Sequence, residues 1–281
     1  MRASGARLSA AQTDLTVVTT AVSGAGVRPG DHVLEVGPGT GVLTAALLAA
    51  GARVTALEKD AELAAALLSN NAELVASGAL RVVQDDVLRW LRSPEAREAF
   101  PDAAPGQPLA KVVANIPYGI STDLLSALLP RGAAFASLTL LVQEELAQRL
   151  VVHSAGASDA REMSLRVRFY SAPRYLRHVP RDCFKPPPNV DSAVVAFDLR
   201  PPATWPLPPG PRTAAFFGFL RSAFASRRKV LRKLLASLPG SDSEAAAAAL
   251  GKAGVAADAR PQELPLESYL LLFSQLMPEK R

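Results

Sequence analysis

Between residues 32 and 198 short β-rich runs alternate with stretches of helical character, and this alternation restricts the possible folds more than any other feature of the chain. The runs are HVLEVG at 32–37, RVTALE at 53–58, LRVVQ at 80–84, KVVANI at 111–116, SLTLLVQ at 137–143, SLRVRFYS at 164–171 and SAVVAFD at 192–198. Strands separated by helices pair in parallel and are covered on both faces, so an α/β architecture with a seven-stranded, mostly parallel sheet is expected. KVVANI is apolar at consecutive positions, as strands buried on both faces are, whereas LRVRF at 165–169 alternates like an edge or antiparallel strand. The sheet should therefore be mixed.

A proline-rich passage, Pro201 to Pro211, stops the periodic pattern and reads as a linker. It divides the chain into an α/β domain over 1–199 and a small helical domain over 200–281. In 214–238, Phe217, Leu220, Phe224, Leu231 and Leu235 recur at helical steps, while Arg221, Arg228 and Arg232 fall together on another face. One face packs and the other is cationic. The charge follows the same division: residues 1–199 hold 19 Lys plus Arg against 20 Asp plus Glu, and residues 200–281 hold 12 against 6. An anionic partner docking on the C-terminal part is expected, with a merely solvated basic face as the alternative.

Cys183 is the sole cysteine and the three histidines show no ligand spacing, which excludes a Cys-rich zinc site and predicts no metal. The longest apolar stretches are interrupted by Pro130 and Arg131 or consist of alanine near 245–250, so no membrane span is expected. The first thirteen residues carry Arg2 and Arg7, several Ala and Ser, and no acid. They are read either as an organellar transit segment or as a frayed terminus.

The first strand runs into Glu35-Val36-Gly37-Pro38-Gly39-Thr40-Gly41, ahead of a helical stretch. Glycines here permit a tight turn and a close ligand approach at the carboxyl end of the strand, and Glu35, Gly37, Gly39 and Gly41 are the candidate contacts of that turn. A dinucleotide fingerprint requires glycine three positions after Gly39, where Val42 stands. Glu58 closes the second strand 21 residues after Gly37, where a carboxylate can accept hydrogen bonds from both hydroxyls of a ribose. Asp85 and Asp86 follow the third strand; one of them can accept from an adenine amine, and either can equally be a helix N-cap. Together these positions describe a site for S-adenosylmethionine rather than a nicotinamide.

The fourth strand runs into Asn115-Ile116-Pro117-Tyr118, 74 residues after Gly41. An exocyclic aromatic amine is a poor nucleophile because its lone pair is delocalised into the ring. Two acceptors aimed at its N–H bonds favour a pyramidal nitrogen. The Asn115 side chain and the Pro117 backbone carbonyl are the candidate acceptors, and the Tyr118 ring the face for an extruded base. Phe184, held by the prolines of FKPPPNVD at 184–191, is a candidate for the other face of the base, with a core phenylalanine as the competing reading.

The glycine turn, the Asn-Ile-Pro-Tyr segment and FKPPPNVDSAVV at 184–195, with LVQEELAQRLV at 141–151 and SRRKVLRKLL at 226–235, resemble the ribosomal RNA adenine dimethyltransferases, which include KsgA and the Erm enzymes. The resemblance covers roughly residues 14 to 276 and implies a Rossmann-like class I methyltransferase sheet with a small helical C-terminal domain. It implies cofactor contacts at Gly37, Glu58, Asp86 and Asn115, and base presentation by Asn115, Pro117 and Tyr118. Arg227, Arg228, Lys229, Arg232 and Lys233 would contact RNA phosphates, joined by Arg221 on the same basic stretch.

The basic C-terminal helices are similar to the KsgA-like branch, which dimethylates two adjacent adenosines near the 3′ end of small-subunit ribosomal RNA. FYSAPRYLRHVPRDCF at 169–184 resembles plastid members, implying the plastid stroma, with a bacterial-type cytoplasm as the alternative. A monomer acting on small-subunit RNA or an assembling small subunit is expected. The chain departs from the family before its first helix, where a GQNFL-like stretch is replaced by Ser9-Ala10-Ala11-Gln12-Thr13-Asp14, of which only Asp14 fits well. Competing readings are a non-catalytic ribosome-assembly factor, an Erm-like enzyme of large-subunit RNA and, more remotely, a nicotinamide oxidoreductase.

Overall fold

The structure, a computed structural model, describes residues 11–12, 15–104, 106–152, 161–226, 229–238 and 240–278. Among the described residues the main sheet has seven strands: β1 His32–Val36, β2 Arg53–Glu58, β3 Leu80–Gln84, β4 Ala110–Asn115, β5 Phe135–Gln143, β6 Ser171–Val179 and β7 Ser192–Leu199. Their spatial order is β3-β2-β1-β4-β5-β7-β6. Neighbours from β3 through β5 run parallel, and β7 pairs antiparallel with β5. The carboxyl ends of β1 and β4 lie side by side, with Val36 opposite Ala114. That is the usual binding edge of an open α/β sheet.

Six of the seven expected strands form where the sequence places them. The exception is 164–171, which is helical over Glu162–Tyr170, and the strand follows it as β6. Alternation fails here because Leu165, Val167 and Phe169 are buried while the guanidinium of Arg166 lies 4.1 Å over the Phe217 ring. A helix enclosed by neighbours loses its apolar stripe and can mimic period two. Pro173 sits within β6, an edge strand of the sheet, where a missing N–H is tolerated.

The central strands are sealed on one face by helices Leu15–Gly24 and Val42–Ala49, whose Val18, Leu43 and Leu47 pack with Val33, Val54, Ala56 and Val113. Each such aliphatic side chain contributes about 1.5–3 kcal/mol by leaving water. Elsewhere an aromatic group joins His32, Trp90, Phe100 and Phe135, with His32 stacked on Phe100 at 4.3 Å. The two-residue strands Ala11–Gln12 and Phe184–Lys185 form a separate antiparallel pair. Ser9, Ala10, Thr13 and Asp14 of the divergent N-terminal stretch, and the other residues of the expected transit segment before Ala11, lie outside the described residues.

The chain forms two compact units, one of residues 1–147 with 173–199, the other of 148–172 with 200–281. The boundary expected at 199 and 200 therefore requires correction: residues 148–172 group with the C-terminal residues. The reason is aromatic packing, since Phe169 and Tyr170 lie against Phe217 at 5.1 and 5.4 Å and Tyr170 meets Trp205 at 4.8 Å. Trp205 belongs to the proline-rich stretch read as a linker, and its indole N–H donates to the Arg200 carbonyl at 2.9 Å. The helical pattern over 214–238 is also divided, into helices Pro211–Phe224 and Leu231–Leu235. No helix among the described residues is long and apolar enough to cross a membrane.

Candidate active site

β1 ends at Val36, and Gly37 continues it with a hydrogen bond from its N–H to the Leu57 carbonyl at 3.0 Å. Gly37 has φ +70°, and a Cβ there would lie 3.2 Å from the Asn115 carbonyl oxygen. Glycine is thus required both by conformation and by the closeness of the β4 terminus. Gly41, at φ +85°, caps the helix Val42–Ala49, and a Cβ at that position would meet Leu67 Cδ1 at 2.8 Å. Its N–H closes the turn on the Pro38 carbonyl at 2.9 Å.

The turn is held from β2 by Glu58, which is 8 % exposed. One carboxylate oxygen accepts the Gly39 N–H at 3.1 Å and the other the Asp60 N–H at 3.0 Å. Two of the four lone-pair positions of the carboxylate are occupied, leaving capacity for two further donors such as the hydroxyls of a ribose. Glu58 therefore braces the glycine turn and retains acceptors at the strand tip.

Glu35 is fully buried, and neither carboxyl oxygen meets hydrogen-bond geometry with a described group. Burial pushes its pKa up to about 8; the negative charge of Glu58 adds to the rise, while the nearby Thr44 hydroxyl and N–H oppose it. The carboxyl is consequently protonated at neutral pH. Two unpaired buried oxygens beneath a glycine turn mark a place where a ligand's polar or cationic group can be received.

Asp86 is the N-cap of helix Val87–Trp90, accepting from the Leu88 and Arg89 N–H groups at 3.0 and 3.4 Å. Its other oxygen accepts from Lys59 Nζ at 2.9 Å, and this bond is the main cause of a lowered pKa. One lone pair of that oxygen stays open. Asp85 is engaged by the Asp86 N–H and by the Arg89 guanidinium. Of the two alternatives read from the sequence, the helix cap describes Asp86, which also keeps an acceptor to spare.

Asn115 is the last residue of β4, in register with Leu141 of β5, and its side-chain amide bonds to no other described residue. The Pro117 carbonyl accepts the Ile120 N–H at 3.1 Å to close a single 3₁₀ turn, Tyr118–Ile120. The carbonyl of Ile116 has no backbone partner among the described residues. Of the two adjacent carbonyls it is the less committed acceptor, and backbone groups leave no trace in a sequence motif. Tyr118 is half-buried, and its hydroxyl lies 2.6 Å from Ser192 Oγ.

Phe184 lies in an apolar cluster. It is 3 % exposed and packs with Val17, Leu141, Val179 and Val194, because strand pairing of Phe184–Lys185 turns the ring into that cluster. The competing reading, a core phenylalanine, describes its position. In the other compact unit Arg221, Lys229, Arg232 and Lys233 are exposed, and none forms an ion pair with a described residue. Arg227 and Arg228 lie outside the described residues. The break before Leu231 means that these cations do not line one continuous helix face as expected.

The same chain matches the family model described as ribosomal RNA adenine dimethylase over residues 12–277. It is 41% identical over 264 residues to the chloroplastic ribosomal RNA small subunit methyltransferase of Arabidopsis thaliana, covering 92% of this chain and 74% of that one. It is 38% identical over 268 residues to ribosomal RNA small subunit methyltransferase A of Protochlamydia amoebophila, covering 95% and 89%. The crystal structure of the 23S rRNA methyltransferase ErmE superposes with a TM-score of 0.67 at 27% identity, covering 94% of this chain and 98% of that one. With the glycine turn, the strand-end acids and the Asn-Ile-Pro-Tyr tip in the places described, the chain belongs to the ribosomal RNA adenine dimethylase family.

Proposed function

We propose that the chain is an S-adenosylmethionine-dependent methyltransferase that dimethylates the exocyclic N6 of two adjacent adenosines near the 3′ end of small-subunit ribosomal RNA. The observation that carries this reading is the unpaired amide of Asn115 at the tip of β4, within close backbone approach of the cofactor turn and beside Tyr118. When bound, S-adenosylmethionine supplies a methyl group on a positively charged sulfur. The residues present fit it: Gly39, where a Cβ would meet nothing within 4 Å, leaves room for it, Gly37 and Gly41 shape the turn around it, Glu58 has acceptors for its ribose, Asp86 has one for its adenine amine, and Glu35 offers unpaired buried oxygens beneath the turn.

The remaining chemistry falls to this chain's own groups. Tyr118 provides a ring face for an adenine taken out of its stack, and such stacking is worth roughly 1–3 kcal/mol per base. In the first transfer the Asn115 side-chain carbonyl accepts one N6–H bond and the Ile116 carbonyl the other, with the second lone pair of Pro117 as the alternative; in the second transfer the monomethylated amine has one N–H left, held by one of these acceptors. Two acceptors draw the amine out of the ring plane and aim its lone pair at the incoming methyl. As the new N–C bond forms, the methyl–sulfur bond would break with its electron pair staying on sulfur as a neutral thioether, and the amine's surplus proton passes to solvent, so no strong protein base is required. Arg221, Lys229, Arg232 and Lys233 are the described candidates for phosphate contacts, joined by Arg227 and Arg228; such contacts position RNA by charge and shape more than by sequence.

Higher identity to the two small-subunit enzymes, 41% and 38%, than to the 23S enzyme, 27%, favours the small-subunit target over an Erm-like one. The chloroplastic relative supports a plastid location, with a bacterial-type cytoplasm as the alternative, and the chain is assigned as a monomer acting on small-subunit RNA or the assembling particle. Transfer of labelled methyl to unmethylated small subunits, mapped by reverse-transcription stops, tests the proposal. Stops at two adjacent 3′ adenosines that vanish in Asn115→Ala support it. RNA binding without transfer to either subunit refutes it in favour of an assembly role without turnover.

A further inference from the structure

The Tyr118 hydroxyl touches one residue of the FKPPPNVDSAVV segment for which the sequence suggests no role. Ser192 is fully buried, and its Oγ lies 2.6 Å from the phenolic oxygen. It opens β7 and pairs across the ladder with Gln143, the last residue of β5. The preceding residue, Asp191, is fastened from three directions. Its carbonyl accepts the Glu144 N–H at 3.0 Å, and its carboxylate accepts the Arg181 N–H at 3.0 Å. The same carboxylate lies 3.5 Å from His178 Nε2, while His178 Nδ1 is 3.0 Å from Glu144. The Ser192 backbone is therefore held on two sides, by the bonds to Asp191 and by the ladder to Gln143.

The Tyr118 backbone is tied by the Ser121 N–H, which donates to its carbonyl, but the ring has no such tie apart from its hydroxyl. Tyr118 begins a single 3₁₀ turn at the end of β4 and is half-buried, so packing alone leaves its ring some freedom about χ1 and χ2. A hydrogen bond at the para oxygen holds the far end of the ring and suppresses that swing. We propose that Ser192 is a positioning residue that sets the plane of the Tyr118 ring against which the target adenine stacks. This inference rests on the functional reading above. Ser192 acts through Tyr118 and does not itself meet the base. Its loss should tilt the offered base away from Asn115 while leaving the glycine turn and Glu58 unchanged.

The test is a double-mutant cycle of Ser192→Ala and Tyr118→Phe, read as methyl transfer to unmethylated small ribosomal subunits with both substrates saturating. S-adenosylmethionine affinity is measured in parallel by calorimetry. Each single variant should lose about three- to tenfold in turnover, the effect of one hydrogen bond. The double variant should be no slower than either single one, because both remove the same contact, and cofactor affinity should stay that of the wild type. A merely structural Ser192 would lower cofactor affinity along with rate, and that result overturns the proposal. Wild-type turnover in Ser192→Ala, or losses that multiply in the double variant, also overturns it. Absence of transfer by the wild type itself sinks the functional reading, and this inference with it; a defect confined to the variants cannot be confused with that outcome.

Discussion

Replacing Glu58 by glutamine keeps the shape of the side chain while removing its charge and turning one of its two acceptors into a donor. Both oxygens are in use, one for Gly39 N–H at 3.1 Å and one for Asp60 N–H at 3.0 Å. Whichever way the amide is turned, its NH₂ faces a backbone N–H. One charge-assisted bond, worth about 1.5–3 kcal/mol, is lost, and the other falls to the neutral range of about 0.5–1.5 kcal/mol. Destabilisation of the cofactor-free protein by about 2.5–4.5 kcal/mol follows, or roughly 5–18 °C in Tm for a protein of this size. The two lone pairs left for ribose hydroxyls lose their charge as well. Together they should cost about 3 kcal/mol of cofactor binding, close to a hundredfold in Kd. Thermal melts without cofactor and titration calorimetry with S-adenosylmethionine separate the two effects. A lowered Tm with an unchanged Kd would make Glu58 a turn brace alone and refute its assignment to the ribose.

Glu35→Gln should be more stable than the wild type at pH 8 and similar near pH 4. The unfolded carboxyl loses its proton near 4.5 and the native one not until about 8, so wild-type stability falls as pH rises through that window; urea titrations in which the difference does not grow with pH would contradict this. His32 behaves in the opposite sense. Burial and the charges of Arg53 and Arg81 hold its pKa at about 4, so the unfolded chain takes up a proton near pH 6.5 while the native one does not, and stability falls as pH drops from 6.5 to 4. His32→Gln should flatten that slope in acid denaturation. Replacing Arg232 and Lys233 together by alanine should make the dependence of RNA affinity on log salt shallower by about 1.5, without altering cofactor affinity; an unchanged slope would remove both from the phosphate contacts.

The parts of the fold that sequence reveals are those where burial is uniform. β1, β2, β4 and β5 are enclosed on both faces, and their consecutive apolar residues have no competing explanation. Residues 164–171 misled because Arg166 and Arg168 are held inside their surroundings, Arg168 by a bond to the Leu150 carbonyl at 3.0 Å, so the arginines did not mark a solvent face. The division of 214–238 was hidden because Phe224, which ends one helix, and Leu231, which begins the next, keep a seven-residue spacing. Of the groups proposed for the site, the side chains with chemistry of their own, Glu58, Asp86, Asn115 and Tyr118, could be picked out of the sequence. The proposed roles of Ser192 and the Ile116 carbonyl could not, since a serine opening a strand and a bare backbone oxygen announce no chemistry. Phe184 was ambiguous between site and core in the sequence, and in the structure it packs with Val17, Leu141, Val179 and Val194.

The interleaved course of the chain limits how this protein can be dissected. Phe169 and Tyr170 precede the last strand of the sheet in sequence, yet their ring partners Trp205, Phe216 and Phe217 all follow it. A fragment cut at the proline-rich stretch would keep two large aromatic rings and forfeit everything that covers them, and the complementary fragment would expose the opposite half of the same cluster. Neither piece is a self-sufficient module. Grafting a foreign RNA-reading segment onto this scaffold would therefore have to carry residues 148–172 along with the C-terminal portion, as an insertion and a tail exchanged together.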